Sequence, residues 1–362
     1  MIRWILRRAI SPCVLGLVLI PVWTANPTLA DEPKAGKVGL LSVGPITFGP
    51  EGVLFVGDPK GAKIFALVTG DNQSNAVAPA LAEGIDAKLA AVLGVKPAEV
   101  VINDLAVNPA SKRVYLSVSR GKGPDAIPLL FAMGENGDLK EVSLENALHT
   151  SIELGNPVAA GNKRMEAITG IKYAKGKVYV AGLSNEEFAS TLRSIPYPFS
   201  GKVASSGIQI YHGAHGKFET ASPVRTFTPL DVNGKEEILA AYTCTPLVRI
   251  PVSQLTDGAK VKGTTVAELG NRNRPLDMVT YTKGGKPYAL MANSARGVMK
   301  VALEDIEKID AIVERVGDKA GLTYDTISDL KGVEHLDKMG DTHAVLLVRT
   351  SKGLKVQTIE LP

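Results

Sequence analysis

The chain has 362 residues, of which 45% are hydrophobic and 22% charged, with a formal charge of +4. Arg3, Arg7 and Arg8 carry most of that excess, and the chain without them stands at +1. This removes the electrostatic case for a nucleic-acid or anionic-membrane partner. Only Cys13 and Cys244 are present, so a disulfide framework is excluded as the main source of stability.

The N-terminus reads as a processing segment over residues 1–30. A basic start is followed by an apolar run from Cys13 to Trp23, then by Thr28-Leu29-Ala30 with small residues where a signal peptidase cuts. The apolar run is about half the ~20 residues needed to cross a bilayer. We therefore expect a cleaved signal peptide, no span in the mature chain, and a periplasmic or secreted address. Arg7-Arg8 fits twin-arginine export poorly, and Cys13 precedes the apolar run, against a lipoprotein cysteine. Trp4 and Trp23 leave with the segment, and Cys244 remains as a single thiol.

From residue 31 to 362 the chain repeats one strand–turn–strand module six times. Phe55, Tyr115, Tyr179, Leu239, Tyr288 and Leu346 mark equivalent positions at steps of 60, 64, 60, 49 and 58 residues. Short strands repeating at about 40–60 residues are the mark of propeller blades. The first module runs from Ile46-Thr47-Phe48 through Gly49-Pro50-Glu51-Gly52 into Val53–Val56, then turns at Gly57-Asp58-Pro59-Lys60-Gly61. The second turns at Asn108-Pro109-Ala110-Ser111, the third at Ala174-Lys175-Gly176 and the fifth at Lys283-Gly284-Gly285. Glycine, proline and asparagine supply the backbone angles these turns need. The fourth module is less regular, with Pro246 after its second strand, and the sixth ends at Val356–Ile359.

The reading is an all-β, six-bladed β-propeller in a single domain, with seven blades as the alternative count. Two helical excursions are expected, at Val77 to Leu93 and at Leu303 to Val316. Insertions between blades are placed near 76–95, 183–207 and 303–325. The middle one carries Phe188, Tyr197 and Phe199 and reads as a surface loop, with a ligand-contacting lid as the sharper alternative. Val38 to Val43 is the segment expected to close the ring by pairing with the last module.

Phe48-Gly49-Pro50-Glu51-Gly52-Val53-Leu54-Phe55-Val56-Gly57-Asp58 and Leu105-Ala106-Val107-Asn108-Pro109 resemble the six-bladed propellers of the NHL, strictosidine synthase-like and lactonase-like groups. The resemblance spans most of the mature chain, rests on generic blade grammar, and identifies a fold rather than an activity.

Candidate chemistry falls into three sets. Asp104, Glu166, Asn273 and Asp277 lie near the starts of first strands, where a propeller's channel opens, and offer hard oxygens suited to calcium. The resemblance implies a similar type of metal set in lactonase-like propellers, without a residue-by-residue match. The plainer reading has Asp104 and Asp277 bonding turn backbone. Asn271, Arg272, Asn273 and Arg274, with Asn293 and Arg296, combine amides and guanidinium forks that suit a carboxylate or phosphate, or alternatively an inter-blade ion-pair network with Asp277 or Glu268. His212, His215 and Glu219 sit on a glycine-flanked turn and, with Cys244 and Met278, form a transition-metal alternative for zinc or copper. An exposed turn, a core thiol and core methionines are the plainer readings there.

Covalent haem is excluded by the lack of Cys-x-x-Cys-His, and neither a P-loop nor a dinucleotide fingerprint follows a strand. With no tryptophan in the mature chain, tryptophan-docked quinoprotein propellers are a poor match. The favoured function is therefore non-catalytic: binding a protein partner or a small anionic ligand at the channel mouth. A calcium-dependent hydrolase of the lactonase kind, and a copper or zinc accessory protein, are the alternatives.

Overall fold

Strands dominate the chain because short apolar runs rich in β-branched and aromatic residues recur between turns, folding one strand directly against the previous one. The computed structural model describes residues 32–73, 81–244 and 246–362. The expected signal segment lies outside them, as do residues 77–80 of the first expected helix. Among the described residues no helix is long and apolar enough to cross a membrane.

Six sheets form the blades, antiparallel except where Lys260–Lys262 pairs parallel to Ala204–His212 in the third. Their innermost strands are Ile46–Phe48, Val100–Val107, Gly170–Ala174, Thr226–Val232, Pro275–Lys283 and Val333–Met339, from the first to the sixth blade in chain order. The fold is a six-bladed β-propeller. Around the ring, however, the blades do not follow the chain. The first blade's inner strand packs between those of the second and third, and the second blade's inner strand packs against that of the sixth. The order around the channel is therefore first, second, sixth, fifth, fourth, third. Six apolar layers fill the gaps between neighbours in this order. Phe55, Ile171 and Phe199 meet between the first and third blades, while Leu105, Phe131 and Val345 meet between the second and sixth.

This permutation comes from the N-terminal third of the chain. After three strands of the first blade the chain runs to the sixth, where Leu81–Glu83 pairs with Gly353–Glu360 and closes the ring. It then builds the second blade and returns to the first, where Ala147–Glu153 pairs with Lys63–Val68. The expected closure by Val38 to Val43 is thus corrected. Val38 and Val43 are buried under the first blade, and the neighbouring Lys34–Gly36 pairs with Ala147–Glu153.

The helical expectations also change. Ile85–Leu93 is an α-helix whose Ile85 and Leu89 face the core between the second and sixth blades. Over 303–316 only Ile306–Lys308 forms a single 3-10 turn. Beyond it the backbone is tied to the third and fourth blades, Ile312 N donating to Thr265 O and Val316 N to Gly213 O. The segment then pairs as Lys319–Gly321 along the fourth blade's edge. Alternating charge and isoleucine here serves an extended chain buried on one side, not a helix. Residues 183–207 likewise carry a blade strand, Ser190–Pro196. Phe199 is buried, and Tyr197 stacks edge-on against Phe55 at 4.8 Å, so these aromatics belong to the core.

Candidate functional site

Three inner strands carry β-bulges, at Ile102/Asp104, Pro275/Asp277 and Val333/His335. An extra residue at a bulge re-aims the side chains that follow it, and here it turns acids toward the neighbouring blade. Asp104 Oδ2 accepts from Ile46 N at 2.8 Å, Asp277 Oδ2 from Leu336 N at 3.1 Å and Asp337 Oδ2 from Val107 N at 2.8 Å. Their other oxygens accept from Leu105, Met278 and Lys338 N respectively, each at 2.8 Å. Each aspartate thus stitches its own strand to the next blade while satisfying two backbone donors.

The same acids converge on the channel floor. Donor atoms of Asp104, Asp277 and His335 lie within 4.8 Å of one another. His335 Nδ1 is 3.4 Å from Asp104 Oδ1, and Lys172 Nζ is 3.9 Å from Asp277 Oδ1. Burial pushes the Asp277 carboxyl up, with the Asp104 charge adding and Lys172 opposing. Burial also raises Asp337. Burial works against charge on Lys172 and His335, but the surrounding carboxylates outweigh it and hold both above their ordinary values. The floor is therefore an internally compensated cluster of three acids and two bases.

Of the four residues expected as calcium ligands, only Asp104 and Asp277 come together there. Glu166 pairs with Arg225 Nη1 at 3.0 Å. Asn273 Nδ2 donates to Gly270 O, while its Oδ1 accepts from Asn293 Nδ2 at 2.9 Å. Lys172, His335 and Asp337 escaped the sequence reading. The signal was available, because His335-Leu336-Asp337 lies in the first strand of its module, as Asn103-Asp104 and Leu276-Asp277 lie in theirs.

Above the floor, the mouth widens into a cleft of about 900 Å³. Four cations reach it, Arg225, Arg274, Lys331 and Arg349. Glu166 neutralises Arg225, and Glu334 holds Arg349 in a two-pronged pair. Arg274 is exposed in the cleft, and its guanidinium makes no hydrogen bond or ion pair to any described residue. Burial lowers its pKa, the like charge of Arg225 lowers it further, and the Glu166 carboxylate opposes both.

The remaining members of the Asn-Arg set build the rim. Arg296 Nη2 donates to Asn271 O at 3.1 Å, Asn271 Nδ2 to Gly317 O at 2.7 Å, and Asn293 Oδ1 accepts from Ala295 and Arg296 N. Arg272 is exposed at a positive φ of 58°. The acid nearest Arg296 is Asp318, at 4.0 Å.

The third set divides. His212, His215 and Glu219 are brought together on the outer strands of the third blade. Cys244 is not in that group. It lies in the turn leaving the fourth blade's second strand, its N donating to Asn273 O at 2.9 Å. Met278 is buried in the core between the fourth and fifth blades.

No protein-family model and no curated protein matches the sequence. Among solved structures, the chain is similar to the PQQ-bound aldose sugar dehydrogenase of Streptomyces coelicolor, at 12% identity and a TM-score of 0.35 over 91% of this chain and 97% of that one. It is also similar to a candidate gluconolactonase, at 11% identity and 0.33 over 93% and 97%. A third is the extracellular domain of a candidate one-component system from B. thetaiotaomicron, at 12% identity and 0.39 over 91% of this chain and 40% of that one. Likeness at this level concerns the fold alone.

Proposed function

We propose that the channel mouth binds a small anionic ligand, and that the protein acts as a binding module. The observation that carries this reading is Arg274, held beside Arg225 in a concave cleft with no carboxylate of its own. Glu166 already balances Arg225, so a bound carboxylate or phosphate is held chiefly by the planar, two-pronged donors of Arg274. The cleft is of a size that suits a small molecule. Ser294 lines the wall beside Arg274 and offers a neutral hydroxyl donor to the rest of the ligand.

A second reading is a metal-assisted hydrolase at the floor, favoured by the approach of Asp104, Asp277 and His335. Lys172 weighs against it, since an ammonium already supplies the cation those acids require, and their oxygens are committed to backbone donors. Elemental analysis of protein purified without chelator separates the two, because stoichiometric calcium supports the hydrolase.

The binding reading is tested by isothermal titration with citrate, inorganic phosphate and a panel of sugar acids. We expect saturable 1:1 binding by at least one anion, weakened about tenfold or more in Arg274→Ala, consistent with the loss of one charge-assisted pair. Absence of binding across the panel, or equal affinity in Arg274→Ala, refutes it.

A further inference from the structure

The turn at 212–219 is a built constellation rather than a chance meeting of exposed side chains. His212 ends the strand Ala204–His212, and Lys217–Glu219 returns against it with Ile210 opposite Glu219 and His212 opposite Lys217. Strand side chains alternate between faces, so this register puts His212 and Glu219 on the same face. The intervening turn closes through His215 N and Gly216 N, both donating to His212 O, and folds His215 back over His212. The two imidazole centroids lie 3.8 Å apart, the rings tilted by 35°. Both present Nδ1 to one carboxylate: His212 Nδ1 is 3.1 Å from Glu219 Oε2, and His215 Nδ1 is 2.7 Å from Glu219 Oε1.

Neighbouring elements hold this turn in place. Ser222 Oγ donates to Glu219 Oε2 at 2.7 Å, Thr265 Oγ1 to Tyr211 O at 2.7 Å, and Gly213 N to Glu268 Oε1 at 2.6 Å. Two buried polar atoms remain unpaired around it, Nε2 of His212 and Oε2 of Glu268. These residues are 3% and 1% exposed.

We propose that His212, His215 and Glu219 form a binding site for a divalent transition metal of the zinc type, with Glu268 as the adjacent second carboxylate. Two imidazoles and a carboxylate are zinc donors with bonds of about 2.0–2.2 Å. Tetrahedral bonds of that length set donor atoms about 3.3 Å apart, so the observed approaches need open by only a few tenths of an ångström. Metal binding at Nδ1 leaves each neutral imidazole with its single proton on Nε2, and a second proton on either ring is released to solvent. Ser222 then orients the ligating carboxylate from outside, the supporting role such groups play at metal centres. The site lies on the outer strands of the third blade and is independent of the anion-binding reading of the mouth.

The test is titration of the full, chelator-stripped protein with zinc by calorimetry, and with cobalt by its visible absorption. One equivalent should bind with a Kd below about 1 µM, and cobalt should give the intense bands of a tetrahedral site. His215→Ala removes a half-exposed ligand with little risk to the fold, and Glu219→Gln removes the shared carboxylate. Each should weaken binding about 100-fold or more, while His343→Ala, at a separate surface histidine, should leave it unchanged. Absence of stoichiometric binding, or affinity unchanged in both ligand variants, overturns the proposal. In that case the three residues serve only to staple the turn.

Discussion

Arg193 is the least comfortable side chain in the molecule, and replacing it should stabilise the fold. It sits on Ser190–Pro196 with no solvent exposure. Ile195, two residues on and so on the same face, belongs to the core between the first and third blades. The guanidinium reaches only Ala167 O, at 3.5 Å from Nη1, and its Nε and Nη2 are unpaired. Burial pushes its pKa down to about 10 from the ordinary 12.5. At neutral pH that difference withholds about 3 kcal/mol from the folded state, and two orphan donors at about 1–3 kcal/mol each agree with it. Arg193→Met keeps the aliphatic stem and removes the charge, so we expect a melting temperature higher by about 4 °C for a chain of this length. Scanning calorimetry at pH 7 measures it directly. The pH dependence supplies a second signature. Above pH 10 the folded chain releases the Arg193 proton while the unfolded chain still holds it, so stability rises with pH. The wild-type deficit should therefore shrink between pH 10 and 11. A variant that melts at or below the wild-type temperature refutes the reasoning and shows that the guanidinium has a partner.

Two further predictions concern the channel and the closure. Lys172→Met leaves Asp104, Asp277 and Asp337 with His335 as the only nearby cation among the described residues, and should cost about 3–5 kcal/mol at pH 8. The loss should be smaller at pH 5. Acids raised in the folded state cost stability only as pH climbs through their pKa, and removing Lys172 raises Asp277 further. Urea titrations of both proteins at the two pH values check the difference, and an equal loss at both would contradict it. Ala82→Glu places a charge in the core between the second and sixth blades, where Ala82 is buried. It should lower stability by about 2–4 kcal/mol and expose residues 81–83 to limited proteolysis before the rest of the ring opens.

Much of the architecture was legible in local sequence. A near-continuous apolar run rich in β-branched and aromatic residues, as in Val114–Arg120 or Lys177–Leu183, bounded by asparagine, proline and glycine turns, makes a strand from forces acting over a few residues, and six such modules imply six blades. Helical spacing misled at Leu303 to Val316 because apolar residues three apart also suit an extended chain clamped at intervals, as Ile306, Ile309 and Ile312 are. The candidate site was legible only in fragments. Asp104 and Asp277 stood out as acids at strand starts, yet Lys172 lies in the middle of a strand and looks like any solvent-facing lysine. His212, His215 and Glu219 were visible as a pattern, but two glycines left their relative directions open until the strand register set them.

What the sequence by itself determined is the module, its number and its all-β character, because each hairpin is specified within about 20 neighbouring residues. Only the tertiary structure decided which blade stands beside which. All six modules present similar apolar faces, and the choice among them is made by side-to-side packing of residues far apart in the chain. That choice seats the first blade between the second and third, draws Leu81–Glu83 across to the sixth, and brings Lys172 of the third blade, Asp277 of the fifth and His335 of the sixth to one point on the channel axis.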